Sequence, residues 1–134
     1  MSKGEDRIQA ILDKAKISYV REYRIHDLRN NLYRFDFYIP GKKIAIEYEG
    51  EQHYHWVPKF FKDRSAFLNA QERSRIKMSY CLAKGIKLYC IPFWEYPNIN
   101  SVRDIFQEKF LVQSKFHDDM AWSQYKDSMK IDKR

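Results

Sequence analysis

Asp36 and Glu47 stand eleven residues apart, each inside a short run in which apolar and polar side chains alternate. Residues 32–39 read LYRFDFYI and residues 43–48 read KIAIEY. Both runs are rich in β-branched and aromatic residues, the pattern of half-buried strands, and Pro40-Gly41 between them marks a hairpin. With Gly41 and Lys42 as a two-residue loop, Gly41 supplying the positive φ of a type II′ turn, paired positions sum to 83. Asp36 then faces Glu47, and Arg34 faces Glu49. Facing residues on one side of a hairpin have Cβ atoms about 4.5–5.5 Å apart. Two carboxylates that close repel each other unless a cation lies between them. A Mg²⁺ site needs one or two carboxylates, with water and phosphate oxygens completing the shell. The plainer alternative is a pair of acids on the solvent face.

A second signal is charge. The net charge is +7, and between Lys59 and Lys87 eight Lys or Arg stand against Asp63 and Glu72 alone. Most of the excess therefore lies in one segment. Such a segment beside a candidate cation site suits a polyanion, and phosphate backbones are the commonest one. The competing account is a solvated helix face. Within the segment, Trp56, Phe60 and Phe61 lie beside Lys59, Lys62 and Arg64, types that could unstack bases while holding phosphates, or simply cover a sheet edge.

These residues must be held by the elements around them. Ser2-Lys-Gly-Glu5 has capping-box form and precedes Ile8, Ile11, Leu12 and Ala15 at helical spacing, so a helix is expected to about Lys16. Ile17–Ile25 reads as a strand leading to the carboxylate hairpin. From Arg64 to Lys84 a helix is expected with Phe67, Ala70, Met78, Cys81 and Leu82 in its apolar stripe, Arg and Lys on the other face, and Gly85 as its stop. Ile86–Ile91 is the next strand, ended by Pro92. Ser101 opens a third helix carrying Val102, Ile105, Phe106 and Phe110. The order is αβββαβα, an α/β (α+β) fold in which a crossover helix brings the last strand into a small mixed sheet flanked by helices.

A chain of 134 residues with 44% hydrophobic and 32% charged residues suits one globular domain. The division expected is 1–112 as the domain and 113–134 as a helical or partly disordered tail. The two cysteines, Cys81 and Cys90, form no CxxC arrangement, so neither a zinc cluster nor a disulfide scaffold is indicated, and both are expected to be reduced core residues. No apolar stretch approaches membrane-spanning length, and the first residues lack the apolar core of a signal peptide. A soluble cytoplasmic protein is expected.

The order of elements, with Asp36 on one strand and Glu47-Tyr48-Glu49 on the next, resembles the PD-(D/E)XK nuclease superfamily. Within it the chain is most similar to the very-short-patch-repair endonucleases and their phage homing relatives. The matching pieces are Glu5, Ile17-Ser-Tyr-Val20, Phe35-Asp-Phe37, Glu49-Gly-Glu-Gln-His53 and Gly85-Ile-Lys-Leu-Tyr-Cys-Ile-Pro92, spanning residues 4 to about 96. The resemblance implies a restriction-endonuclease-like core and Mg²⁺- or Mn²⁺-dependent hydrolysis of DNA phosphodiesters. Asp36, Glu47 and Glu49 are the implied metal ligands. Gln52, His53 and Glu5 would complete the catalytic set, His53 because a neutral imidazole accepts a proton near pH 7. The family pattern places a Lys two residues after the Glu, where this chain has Glu49. That Lys role would pass to Gln52, Lys43 or Lys77, or Glu49 would act as base or second metal ligand. His55 makes poor evidence for zinc, and the zinc ligands of the mismatch-repair enzymes are missing.

Lys59, Lys62, Arg64, Arg73, Arg75 and Lys77 are the expected phosphate contacts. The function expected is therefore an endonuclease on DNA, plausibly encoded by a phage or mobile element. A structure-selective nickase or junction resolvase on the same core is one alternative, and a catalytically silent nucleic-acid-binding module is another. RNA as substrate and a homodimer are the alternatives carried for partners; a membrane is not expected.

Overall fold

A computed structural model describes residues 2–26, 30–50 and 64–115. Its first element, helix α1 (Lys3–Lys14), forms because Ser2 caps it and Ile8 and Leu12, four residues apart, bury on one face. The Ser2 side chain accepts from the Glu5 N–H at 3.1 Å, and Glu5 and Asp6 put negative charge at the positive end of the helix. The helix stops two residues before the expected Lys16. Lys16 turns left-handed (φ 59°), and the Ile17 N–H returns to the Leu12 carbonyl at 3.0 Å. Strand β1 (Val20–His26) accordingly starts later than the expected Ile17, with Ile17 and Tyr19 packed on the core as a linker.

Strands β2 (Leu32–Ile39) and β3 (Ile44–Glu49) make the expected hairpin, but through a different turn. Pro40–Lys42 form one turn of 3-10 helix, and the left-handed residue is Lys43 (φ 53°), not Gly41. The register survives this correction because a four-residue loop centred on the same point gives the same pairing: Phe37 with Ile46, Tyr38 with Ala45, Ile39 with Ile44.

Helix α2 (Arg64–Lys84) has the expected ends, closed by Gly85 at φ 70°. It crosses over to strand β4 (Lys87–Pro92), which runs parallel to β3. The sheet order is β1-β2-β3-β4, antiparallel except for that last pair, so the expected mixed sheet and αβββαβα order are present. The third helix is much shorter than expected. α3 is a single turn, Val102–Ile105, held by a reciprocal capping box between Ser101 and Asp104. Gln107 then caps the Asp104 carbonyl at 2.8 Å, and a separate 3-10 turn buries Phe110 beside Ile105 in the same core. The apolar spacing that suggested one helix is thus delivered by two turns.

Each face of the sheet has its own core. On the α1 side lie Ile8, Leu12, Phe37, Ile39, Ile46 and Ile91; on the α2 side lie Phe35, Ala45, Cys81, Ile86 and Leu88. The far edge of β4 is covered by the chain after α3. Leu111 bridges to Tyr89, and the Gln113 side chain accepts from the Leu88 N–H at 3.2 Å and donates to the Ile86 carbonyl at 2.6 Å. Among the described residues no helix is long and apolar enough to cross a membrane.

Candidate active site

Asp36 and Glu47 meet where the β2–β3 ladder opens. The backbone pairs end at Phe37 and Ile46. One position further on, each carboxylate takes a backbone N–H of the opposite strand: Asp36 N–H donates to Glu47 Oε2 at 3.0 Å, and Tyr48 N–H donates to Asp36 Oδ2 at 2.7 Å. Side chains have replaced main chain in the ladder.

The cause lies in β1 and β2. Along a regular strand residues 35 and 37 would share a face. Here Phe37 belongs to the α1-side core, beneath the Arg21 guanidinium at 4.5 Å, while Phe35 belongs to the α2-side core with its partner Tyr23. The ribbon changes face at Asp36 and at Glu22, the residue opposite it in register, which adopts φ 49°. Asp36 is therefore turned into the gap between strands. Arg34, expected opposite Glu49, makes its ion pair with Glu22 at 3.7 Å instead, because the ladder that would have faced it to β3 has already ended.

Burial, then the charge of Glu47 and the hydrogen bond to it, push the Asp36 carboxyl up to about 8; the Tyr48 N–H and Lys77 act in the opposite direction. In the absence of a cation the Asp36–Glu47 pair therefore holds a proton well above the usual carboxylate range. Glu5 reaches the same gap from α1. Its carboxyl is raised by burial first and by Asp36 second, and Arg21 pairs with it at 3.1 Å. Glu5 combines the capping contact with a position beside the pair. Gly4 allows this approach: a Cβ there would stand 2.1 Å from the Tyr48 ring carbon Cζ.

The α2 side of the gap is closed by Lys77, whose ammonium pairs with Glu47, both side chains being less than one-fifth exposed. The face of α2 expected to point Arg and Lys outward is in part turned inward. Arg73, Lys77 and Cys81, at successive intervals of four, line the sheet: Arg73 donates to the Leu32 carbonyl at 2.8 Å and lies 4.6 Å over the Tyr33 ring, and Lys77 lies 5.6 Å over Phe35. Arg75 is exposed. Of the candidates for the displaced Lys, Lys43 is four strand residues from Glu47, about 13 Å at the usual rise, whereas Lys77 touches it. Cys81 is buried and its thiol is pushed up to about 12, by burial and by Glu47, so it remains neutral. Cys90, opposite Glu47 on β4, is half-buried and packs against the same core as Cys81, and the two cysteines form no disulfide.

Glu49 is half-buried at the end of β3, two residues beyond Glu47 and so on the same face, beside Pro92. Gln52, His53, Trp56, Lys59, Phe60, Phe61 and Lys62 fall outside the described residues, as does the Arg64 side chain. Among the described residues no group of three or more His, Cys, Asp or Glu is gathered to hold a metal. What is present fits a hard divalent cation that keeps much of its shell as water or phosphate: two half-buried carboxylates, oxygen donors only, whose charge is incompletely solvated. Arg21, Gly4 and Tyr48 were not signalled by the sequence reading. The four-residue spacing of Arg73, Lys77 and Cys81 was the available sign that α2 carries bases on its inner face.

No family model matches the chain. It is similar to uncharacterized protein 307L of Invertebrate iridescent virus 6, 38% identical over 58 residues, which are 43% of this chain and 29% of that protein. It is similar to uncharacterized protein 033L of Invertebrate iridescent virus 3, 28% identical over 100 residues, 69% of this chain and 50% of that protein. A third relative is uncharacterized protein 094L of Frog virus 3 (isolate Goorha), 42% identical over 59 residues, 43% of this chain and 38% of that protein. The matches span half or less of the length of these relatives. Among solved structures the chain is similar to the homing endonuclease I-Bth0305I catalytic domain, with 29% identity, 74% of this chain and 84% of that chain covered, and a TM-score of 0.47.

Proposed function

We propose that this chain is a metal-dependent DNA endonuclease that hydrolyses phosphodiester bonds at the open end of the β2–β3 hairpin, with Mg²⁺ or Mn²⁺ as cofactor. The observation that carries the reading is the carboxylate pair. Asp36 and Glu47 are brought together by a change of face in the ribbon, at a cost in repulsion and desolvation that raises Asp36 to about 8. The two backbone hydrogen bonds and the Lys77 pair offset part of that cost, and a cation placed there would relieve the remaining repulsion.

Asp36 and Glu47 would hold the cation, and Glu49, at the same strand end but not gathered with them, would serve it through a bound water. Bound there, the ion would stabilise charge on the phosphoryl oxygens and lower the pKa of a water. Lys77 takes up the work left open by Glu49 at the usual Lys position: its ammonium, held against Glu47, donates to a phosphate oxygen or to the attacking water. Glu5, paired with Arg21, fixes the α1 side of the gap. Gln52, His53 and the bases from Lys59 to Arg64 follow β3 directly in sequence and would complete the catalytic and phosphate-binding set. Arg75, exposed on α2, is a further phosphate contact. The relatives named above are all proteins of viruses, which supports a viral source for the gene. The support for the activity is the geometry of the pair, not the structural likeness.

The test is supercoiled plasmid incubated with the protein in Mg²⁺ or in EDTA. Nicked or linear product in Mg²⁺ alone, lost in Glu47→Gln, is the expected result. Equal conversion in EDTA, or wild-type conversion by Glu47→Gln, overturns the reading. A silent binding module would hold DNA with no dependence on Mg²⁺.

A further inference from the structure

Trp94 is the most exposed large apolar side chain among the described residues, at 55%. Its place in the fold is specific. β3 and β4 run parallel, so Glu47 lies beside Cys90 and Glu49 beside Pro92. Phe93 and Trp94 are the next two residues of the chain, and they emerge at the strand end where the carboxylates lie. Trp94 is four steps beyond Cys90, about 13 Å at the usual strand rise, and Cys90 is one strand spacing from Glu47, so Trp94 is within about 18 Å of the Glu47 position even for an extended chain.

The segment that carries Trp94 is held by bonds to the same elements that hold the site. The Tyr48 hydroxyl donates to the Phe93 carbonyl at 3.4 Å, linking it to β3 between Glu47 and Glu49. Phe93–Asn98 forms a 3-10 turn, and the Phe93 ring meets the Trp94 ring edge-on at 5.4 Å. Glu95 is fixed by Lys109 at 3.3 Å and Asn98 at 3.1 Å, and the Tyr96 ring lies beneath Lys3 and Arg7 of α1. A solvated indole on a tied-down turn is already ordered, so little freedom remains to be lost when a flat partner stacks on it.

We propose that Trp94 is a nucleobase-stacking subsite at the rim of the carboxylate gap, taking an unpaired base of the DNA close to the scissile phosphate. This deepens the nuclease reading and rests on it. Stacking on an indole needs only the π face of the base, so the subsite selects unpaired nucleotides over paired ones with little preference among the four bases. The strand that carries the phosphate is thereby favoured when locally open.

The experiment uses the full chain in EDTA, with two fluorescent probes: a duplex with a short unpaired segment carrying 2-aminopurine, and the same duplex fully paired. Wild type is expected to bind the first more tightly and to quench the 2-aminopurine. Trp94→Ala and Trp94→Leu should each lose about 5-fold or more in affinity for that probe, the lower end of base–aromatic stacking, and lose the quenching. Trp94→Phe should retain most of both, and affinity for the paired duplex should stay within twofold in all three. Unchanged affinity and quenching in Trp94→Ala overturns the subsite, as does full retention by Trp94→Leu, which would make the residue an apolar plug, or absence of binding to either probe. Plasmid cleavage in Mg²⁺ is followed in parallel. Cleavage by wild type with unchanged binding by Trp94→Ala sinks the subsite alone, whereas loss of binding in Trp94→Ala with no cleavage by wild type sinks the nuclease reading and leaves a base-stacking site.

Discussion

The two ends of the β2–β3 hairpin differ in what joins them. At the turn end Ile39, Tyr38 and Phe37 pair with Ile44, Ala45 and Ile46 by backbone bonds, and Phe37 and Ile46 are fully buried. One residue further, the register continues but the bonds pass through the carboxylates of Asp36 and Glu47. The first end removes apolar surface from water and stabilises. The second buries acids against each other and costs stability. Neighbouring residues of one strand thus serve opposite ends, and a common register makes both possible: the apolar ladder fixes the alignment that brings the acids together.

The sharpest way to break this comparison is to substitute each end separately. Asp36→Asn or Glu47→Gln should lower cleavage by about 10³-fold or more, beyond the 10²–10³ usually lost with a single charge-stabilising donor, while the fold persists. Phe37→Ala should do the reverse, costing about 3–5 kcal/mol of stability and leaving activity per folded molecule near wild type. Denaturant unfolding and single-turnover cleavage, measured on the same preparations, separate the two. A collapse of specific activity in folded Phe37→Ala would show that the two ends are not separable.

Lys77 sharpens the comparison from the α2 side. Lys77→Met should slow cleavage by about 10²–10³-fold if the ammonium stabilises charge in the transition state, with little change in DNA affinity. Without a cation the same substitution leaves Glu47 buried beside another acid, so the metal-free protein should also lose stability. The double variant Lys77→Met/Glu47→Gln should recover part of that loss, since the uncompensated charge is gone. A single variant as active as wild type would assign Lys77 to packing alone.

Much of the fold was legible because its signals are local. The alternation around Asp36 and Glu47 fixed their register despite a wrongly assigned turn, since loops of two or four residues about one centre give the same pairing. Gly85 and Pro92 marked the ends of α2 and β4. The third helix is shorter than its sequence suggests: the spacing of Val102, Ile105, Phe106 and Phe110 suits one helix, yet two short turns bury Ile105 and Phe110 equally well. Of the site, the carboxylates were visible and their setting was not. The change of face at Glu22 and Asp36, the approach of Gly4 to Tyr48 and the inward turn of Lys77 depend on contacts between distant elements, and strand or helix periodicity carries no information about these.

The most gradual effect, spread over several pH units, is also the most direct measure of strain at the open end. An acid raised from 3.8 to about 8 binds its proton more tightly folded than unfolded. Its contribution to stability is therefore fully present below about pH 4 and is lost as pH rises through about 8, at up to roughly 1.4 kcal/mol per pH unit. Urea midpoints of the wild type in EDTA should fall between pH 5 and 8, and Asp36→Asn, which has no proton to lose, should remove most of that slope. The titration belongs to the carboxylate pair, so Glu47→Gln should flatten the slope as well by removing the charge that raises Asp36. Saturating Mg²⁺ should act in the same direction, because a cation between the carboxylates favours their charged forms. Its binding at pH 7 should release up to about one proton, read by calorimetry in buffers of different ionisation enthalpy. A wild-type profile already flat in EDTA, with no proton released on adding Mg²⁺, would mean that Asp36 is charged without a cation, and the open end of the hairpin would then be no more strained than the closed one.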